Sequence, residues 1–341
     1  MNFVEILEKI SDRENLTEQE ASFAMEEVMS GNVNQSRTAA FLYGMRCKGE
    51  TIDELASFVK VMRAASVSVD ASDGYAVDLC GTGGDHSGTF NISTAAMFVV
   101  AGADVPVLKH GNRSVSSNCG SADVLEELGA KPALSKDAVE YCFRQTGMAF
   151  MFAPYFHPAM KHVMPARKEL GMRTFFNLLG PLLNPAGVKR QVIGAYSKEA
   201  AHTIVSILSK LGTDFAYSLH AHDGLDEFST TASTDVYELK NSVFTGPSRF
   251  DSRTLGFTLT DLKSLEGGDA KANTQIIESI FDNKATEAQA EIVTLNATFG
   301  IHASGIYEDL QESYLAARES LESGKAKKAL ENFITCTNDA E

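Results

Sequence analysis

The segment Ala76-Val77-Asp78-Leu79-Cys80-Gly81-Thr82-Gly83-Gly84-Asp85 runs from apolar residues straight into a glycine cluster, and Asn91 to Ala101 beyond it has a helical pattern. Strand, glycine loop and helix in that order predict the opening of an α/β unit. Downstream, Val105-Pro106-Val107-Leu108 reads as the next strand and Ala122 to Leu128 as the next helix, closed by Gly129. Met148 to Phe152, Gln191 to Ala195 and Phe215 to Leu219 continue the strand series, with a helix over Lys198 to Leu211. The alternation predicts a large α/β domain with a mostly parallel central sheet. Upstream, the first 70 residues read as helices only. Phe3, Ile6, Leu7 and Ile10 share one helical face, and Thr17/Glu20 and Thr51/Glu54 have capping-box spacing. The expected division is a small all-helical domain over 1–72, joined by part of 158–188, and the α/β domain over 73–341. The stretch Thr245 to Asn273 shows little periodicity, and Ile276 to Phe333 is again helical.

The chain has 341 residues, 44% hydrophobic and 22% charged, enough to bury a sizeable core without disulfides or metal staples. Thirty Lys and Arg against 45 Asp and Glu leave a formal charge of -15, which argues against a nucleic-acid partner. A pocket can still be locally positive and take one small anion. The five cysteines show neither metal-ligand nor disulfide-framework spacing. The acidic, amphipathic Met1 to Ile10 lacks the character of a signal peptide, and no apolar run reaches membrane length. A soluble cytoplasmic protein without a membrane partner is the expectation.

Four segments carry candidate chemistry. Gly81 to Thr94 places glycines after a strand and Asn91, Ser93 and Thr94 in the first helical turn, where backbone N–H groups and a helix N-terminus favour an anion. The alternative is a plain strand-to-helix turn with Asn91 or Ser93 as cap; the pattern is neither G-x-G-x-x-G nor a Walker loop. Lys109-His110-Gly111-Asn112-Arg113-Ser114-Val115-Ser116-Ser117-Asn118-Cys119-Gly120-Ser121 leaves the second strand with two cations and four serines, a second phosphate clamp or a solvated loop. Asp223-Gly224-Leu225-Asp226-Glu227 follows a later strand; its carboxylates suit Mg²⁺, or an ordinary acidic turn. Arg167 could fork onto a carboxylate or sit exposed on its helix. Asn177 to Pro185 reads as a helix end and turn.

Taken together and in order, Gly81-Thr82-Gly83-Gly84-Asp85, Asn91-Ile92-Ser93-Thr94, Lys109-His110-Gly111-Asn112-Arg113, Gly120-Ser121-Ala122-Asp123, Arg173-Thr174 with Asn177-Leu178-Leu179-Gly180-Pro181-Leu182, and Asp223-Gly224-Leu225-Asp226-Glu227 resemble the anthranilate phosphoribosyltransferase family. The resemblance covers about residues 1–240, with a compatible helical tail. It implies transfer of the phosphoribosyl group of 5-phosphoribosyl 1-pyrophosphate (PRPP) to anthranilate in tryptophan biosynthesis, and homodimers formed through the helical domain. It implies PRPP at Gly81, Gly84, Asp85, Thr89, Asn91, Ile92, Ser93, Thr94, the loop Lys109, His110, Gly111, Asn112, Arg113, Ser114, Val115, Ser116, Ser117, and Ser121. Mg²⁺, two ions per monomer, would lie at Ser93, Asp226 and Glu227, and anthranilate near Gly81, Asn112 and Arg167 with His110 lining the approach. No general acid or base is implied. The chain departs from the family at Ala221-His222, where a glycine and an acidic residue are common. The alternatives are a pyrimidine nucleoside phosphorylase and a non-catalytic nucleic-acid-binding relative.

Overall fold

Asn2, Thr17, Asn34 and Thr51 each accept backbone N–H groups from the first turn of a helix, so the N-terminal quarter breaks into four capped helices. They are α1 (Phe3–Ser11), α2 (Glu18–Met29), α3 (Gln35–Lys48) and α4 (Ile52–Ala64). Both expected capping boxes form. The fold is that of a computed structural model, which describes residues 1–70, 74–85, 87–114 and 118–340. After the bundle come β1 (Val77–Gly81), α5 (Ile92–Gly102), β2 (Val107–Gly111), α6 (Ser121–Glu127), α7 (Lys136–Thr146), β3 (Met148–Phe152), α8 (Ala153–Phe156), α9 (Met164–Leu170) and α10 (Phe176–Leu179). They are followed by β4 (Arg190–Gly194), α11 (Lys198–Lys210), β5 (Phe215–Ala221), β6 (Thr234–Lys240), β7 (Val243–Phe250), α12 (Ala270–Phe281), α13 (Glu287–Ser304), α14 (Leu310–Glu322) and α15 (Lys325–Asp339).

The strands form one seven-stranded sheet in the order β3-β2-β1-β4-β5-β6-β7, parallel through β5 and antiparallel at β6 and β7. Alternate residues face opposite sides. Leu79, Val192 and Tyr217 pack with α5, α13 and α15 on one side, while Ile193 and Ala216 pack on the other with α11 and the helical bundle. Val163, Ala166 and the segment from Phe175 to Leu183 join that second core, so the bundle and the sheet share buried surface. Chain order runs β1 to β3 one way from β1 and β4 to β5 the other, which puts the topological switch between β1 and β4.

Three elements fall outside the sequence expectation. The helix α7 buries only Ala138, Val139 and Cys142 and so leaves a weak pattern. The β6–β7 hairpin turns at Asn241-Ser242, both with positive φ (48° and 64°), a conformation usually marked by glycine. The edge strand β7 is largely exposed and carries Pro247, so it shows no alternation. Among the described residues no helix is long and apolar enough to cross a membrane.

Candidate active site

Gly81 ends β1 and Gly194 ends the adjacent β4, in register with each other. A Cβ on Gly81 would fall 2.4 Å from Asp226 Oδ2, and one on Gly194 1.5 Å from the Asp226 main-chain oxygen. Glycine at both positions therefore lets the acidic loop after β5 lie across the ends of β1 and β4. The Gly83 N–H, at a positive φ of 66°, donates to Asp226 Oδ2 at 2.8 Å. Tyr196 N donates to Thr82 Oγ1 at 3.0 Å, and Arg173 Nη2 donates to the Gly84 carbonyl at 2.6 Å while stacking on the Tyr196 ring. The glycine loop is thus held open from three sides at the sheet's switch point, where open α/β sheets bind ligands.

The N-terminus of α5 meets the same loop. Ser93 N donates to Glu227 Oε1 at 3.2 Å, and Lys109 Nζ reaches Ser93 Oγ at 3.3 Å and the Leu79 carbonyl. Lys109 is buried. Ile92 and Thr94 are buried behind it. Asn91 occupies the cap position without a side-chain cap bond. Its amide instead donates to the Cys119 carbonyl at 3.2 Å and accepts from Asn273 Nδ2 at 2.9 Å, pinning the first turn to α12 and to the second loop. Thr89 lies beside Ser87, their hydroxyls 3.2 Å apart, and its backbone bridges to Glu266.

Electrostatics single out the acidic pair. Burial, reinforced by the Asp85 charge, raises the Asp226 carboxyl above the usual range; burial and the charge of Asp226 raise Glu227, which Lys109 partly offsets. Carboxylates that resist ionising together are poised for a cation. Among the described residues no three acidic, His or Cys side chains complete a metal cage. The neighbouring Asp223 is used up locally, accepting from the Ser229 and Thr231 hydroxyls.

In the second loop Ser121 Oγ donates to the Asn112 carbonyl at 3.2 Å, and a Cβ on Gly111 would strike that Oγ at 2.3 Å. Ser114 N and Gly120 N both donate to Asp123. Arg113 turns to Asp123 and Glu126, at 2.8 and 2.7 Å, instead of standing free over the cleft. Val115, Ser116 and Ser117 lie outside the described residues. His110 sits edge-on to His157, ring centroids 5.1 Å apart. Burial lowers His110 to about 3 and His157 to about 4, so both rings are neutral at pH 7. Arg167 is half-buried with its guanidinium 5.2 Å from the Phe176 ring centroid, not an exposed helix arginine.

Arg173 and Asn273 position the glycine loop and the α5 N-terminus; Arg173 stands in one of the family motifs without an implied role and Asn273 carries no sequence signal, because both act on amides distant in the chain. Asp78 was a legible signal, an acid inside an apolar strand.

The chain matches the α/β domain of a glycosyl transferase family over residues 73–327 and that family's helical bundle domain over residues 4–66. An anthranilate phosphoribosyltransferase from Salinibacter ruber is 47% identical over 98% of each chain. One from Pelotomaculum thermopropionicum is 44% identical over 98% of this chain and 96% of the relative. The solved anthranilate phosphoribosyltransferase of Thermus thermophilus superposes with a TM-score of 0.91 at 35% identity, covering 97% of this chain and 99% of that one. The Saccharomyces cerevisiae enzyme in complex with PRPP and Mg superposes at 0.89 and 26% identity, covering 99% and 98%. Sequence, fold and the geometry of the rim agree: the chain belongs to the anthranilate phosphoribosyltransferase family.

Proposed function

We propose that this protein transfers the phosphoribosyl group of PRPP to the amine of anthranilate, giving N-(5-phosphoribosyl)anthranilate and pyrophosphate, a step of tryptophan biosynthesis. The observation that carries the reading is the meeting of Asp226 and Glu227 with the Gly83 N–H and the α5 N-terminus at the β1/β4 switch. The donor's phosphates would lie along Gly81 to Thr94 and the Lys109–Ser121 loop, with Gly81, Asn112, His110 and Arg167 on the anthranilate side. Asp226, Glu227 and Ser93 would hold Mg²⁺, taken as two ions, whose contribution is to neutralise charge on the departing pyrophosphate.

The chain's own groups do the rest. The N–H groups of Gly83 and Ser93 orient the carboxylates of Asp226 and Glu227. The remaining backbone donors of the glycine loop and of the α5 first turn would meet the anion, and Lys109 adds a buried positive charge beneath them. The C–O bond to pyrophosphate breaks as the amine nitrogen bonds to the anomeric carbon, and the resulting secondary ammonium then loses a proton to solvent, leaving the neutral secondary amine. Anthranilate's nitrogen is already neutral near pH 7, so no general base is assigned. Alignment of two substrates can supply ~7–11 kcal/mol of the barrier.

The same reading divides the chain into helical (1–72, with part of 158–188) and α/β (73–341) domains, supported by the packing of Val163, Ala166 and Phe175 to Leu183 on the bundle. A homodimer through the bundle is supported by exposed Val4 and Tyr43 on the packed helices α1 and α3. A reducing cytoplasm suits the free thiols. The purified protein should consume anthranilate only with both PRPP and Mg²⁺ present. Phosphorolysis of thymidine in its place would overturn the assignment.

A further inference from the structure

The strands β1 and β2 share a single register pair, Val77↔Val107, whereas β1/β4 and β2/β3 share five each. The next parallel rung would join Leu79 N to Leu108 O and His110 N to Leu79 O. Side chains take three of these four groups. Asn184 Nδ2 donates to Leu108 O at 2.8 Å, His110 N donates to Asp78 Oδ1 at 3.3 Å, and Lys109 Nζ donates to Leu79 O. Asn184 Nδ2 also donates to Asp78 Oδ2 at 2.8 Å, closing the substitute rung on itself. Asp78 and Asn184 are 0% and 1% exposed, so their polar atoms must be satisfied there and not by water.

Beyond this false rung lie the two donor loops, Gly81 onward after β1 and Gly111 onward after β2. Asn184 belongs to neither strand. It is carried by the segment Gly180 to Pro185, which Arg63 Nε of α4 grips at the Leu182 carbonyl (2.7 Å) and Gln191 Nε2 of β4 at the Pro181 carbonyl (3.0 Å). The Asn184 side chain is oriented by Ala186 N, which donates to its Oδ1 at 3.0 Å.

We propose that Asn184 and Asp78 are positioning residues that wedge β1 from β2 and so set the spacing of the two loops that receive PRPP. A continuous ladder would pair His110 N with the Leu79 carbonyl, displacing Lys109 Nζ from that carbonyl and releasing Asp78 from His110 N. The inference rests on the proposed reading of this rim as the PRPP site.

The test is steady-state kinetics on the full-length protein well below its Tm, with Tm measured beside it. Asn184→Ala should lower kcat/KM for PRPP by about ten- to a hundredfold, the scale set by sub-ångström to ångström misplacement of reacting groups. Asp78→Asn is isosteric and serves if Asn184→Ala fails to fold. Whichever way the new amide turns, it sets an N–H against either His110 N–H or the Asn184 amide, so the same loss is expected. Ser320→Ala removes an equally buried hydrogen bond, Ser320 Oγ to the Val99 carbonyl (2.7 Å), that touches neither the rung nor the segment carrying Asn184, and should lower Tm while leaving kcat/KM for PRPP unchanged. A fall in Tm with kcat/KM for PRPP within twofold of wild type in the rung variants, or an equal kinetic loss in Ser320→Ala, overturns the wedge. An inactive wild type overturns the functional reading instead.

Discussion

Two acidic sites in this molecule do opposite things with the same chemistry. Glu54, in the helical bundle, is fully enclosed. It accepts Lys48 Nζ at 2.9 Å, Thr51 N at 2.7 Å and Leu16 N at 2.7 Å, and the ion pair is 1% and 0% exposed. Lys48 Nζ also reaches Asn15 and the Gly49 carbonyl. Every charge there is answered from within the chain, and the knot ties α3, α4 and the α1–α2 connection together. Asp226 and Glu227 each take a backbone N–H, but burial raises both carboxyls, Asp226 further by the charge of Asp85 and Glu227 further by that of Asp226. The first site is closed and structural; the second keeps acceptor capacity for something brought from outside.

That contrast is open to experiment. Replacing both Asp226 and Glu227 with Ala should reduce Mg²⁺-dependent turnover by about a thousandfold or more, or ~4 kcal/mol of barrier, with Tm unchanged or raised. Undiminished turnover would remove the pair from the metal site. Glu54→Ala should do the reverse, costing ~3–5 kcal/mol in urea unfolding because Lys48 is left as an uncompensated buried charge, with kcat of the folded fraction retained.

His157 tests a third kind of buried ionisable group, a ring in which burial outweighs the one backbone contact, with Leu183, that favours its charged form. Burial holds it near 4 in the fold, against about 6.5 unfolded. Between these values the unfolded chain binds the extra proton, so stability is complete above pH 6.5 and falls as pH drops toward 4. The slope should approach ~1.4 kcal/mol per pH unit for this group. His110 adds a slope of the same sign and the raised carboxyls of Asp226 and Glu227 one of the opposite sign, so the readout is a difference: urea midpoints of His157→Gln relative to wild type should climb from pH 7 to 6 to 5. An unchanged slope in the variant would assign the decline to other groups. The smallest effect is expected at Arg167. Its Ala variant should raise KM for anthranilate about tenfold, an energy of ~1.4 kcal/mol, and move KM for PRPP far less. Equal effects would make its contact with Phe176 structural.

Much of the fold was legible because its signals are local. Thr17/Glu20 and Thr51/Glu54 announce helix starts through bonds spanning three residues. The apolar run into Gly81 marks β1 because a buried parallel strand needs no alternation. The β6–β7 hairpin was hidden because Asn241 and Ser242 adopt positive φ without a glycine to advertise it. The candidate site was half legible: glycine, Lys109 and the Asp226-Glu227 pair stand out by type and spacing. Asn184 did not, since Asn-Pro after a helix reads as a turn, and its partners Asp78 and Leu108 lie 106 and 76 residues away.

Residue order alone determined which segments become helices and strands, and which loops carry donors and acids, because caps, periodicity and glycine act over a few neighbours. Only the tertiary structure decided that Gly81 and Gly194 must both lack a side chain so that Asp226 can cross the sheet edge, and that Arg113 spends its charge on Asp123 and Glu126. Such outcomes depend on which distant atoms compete for the same few ångströms, and that competition is settled only when the strands are laid side by side.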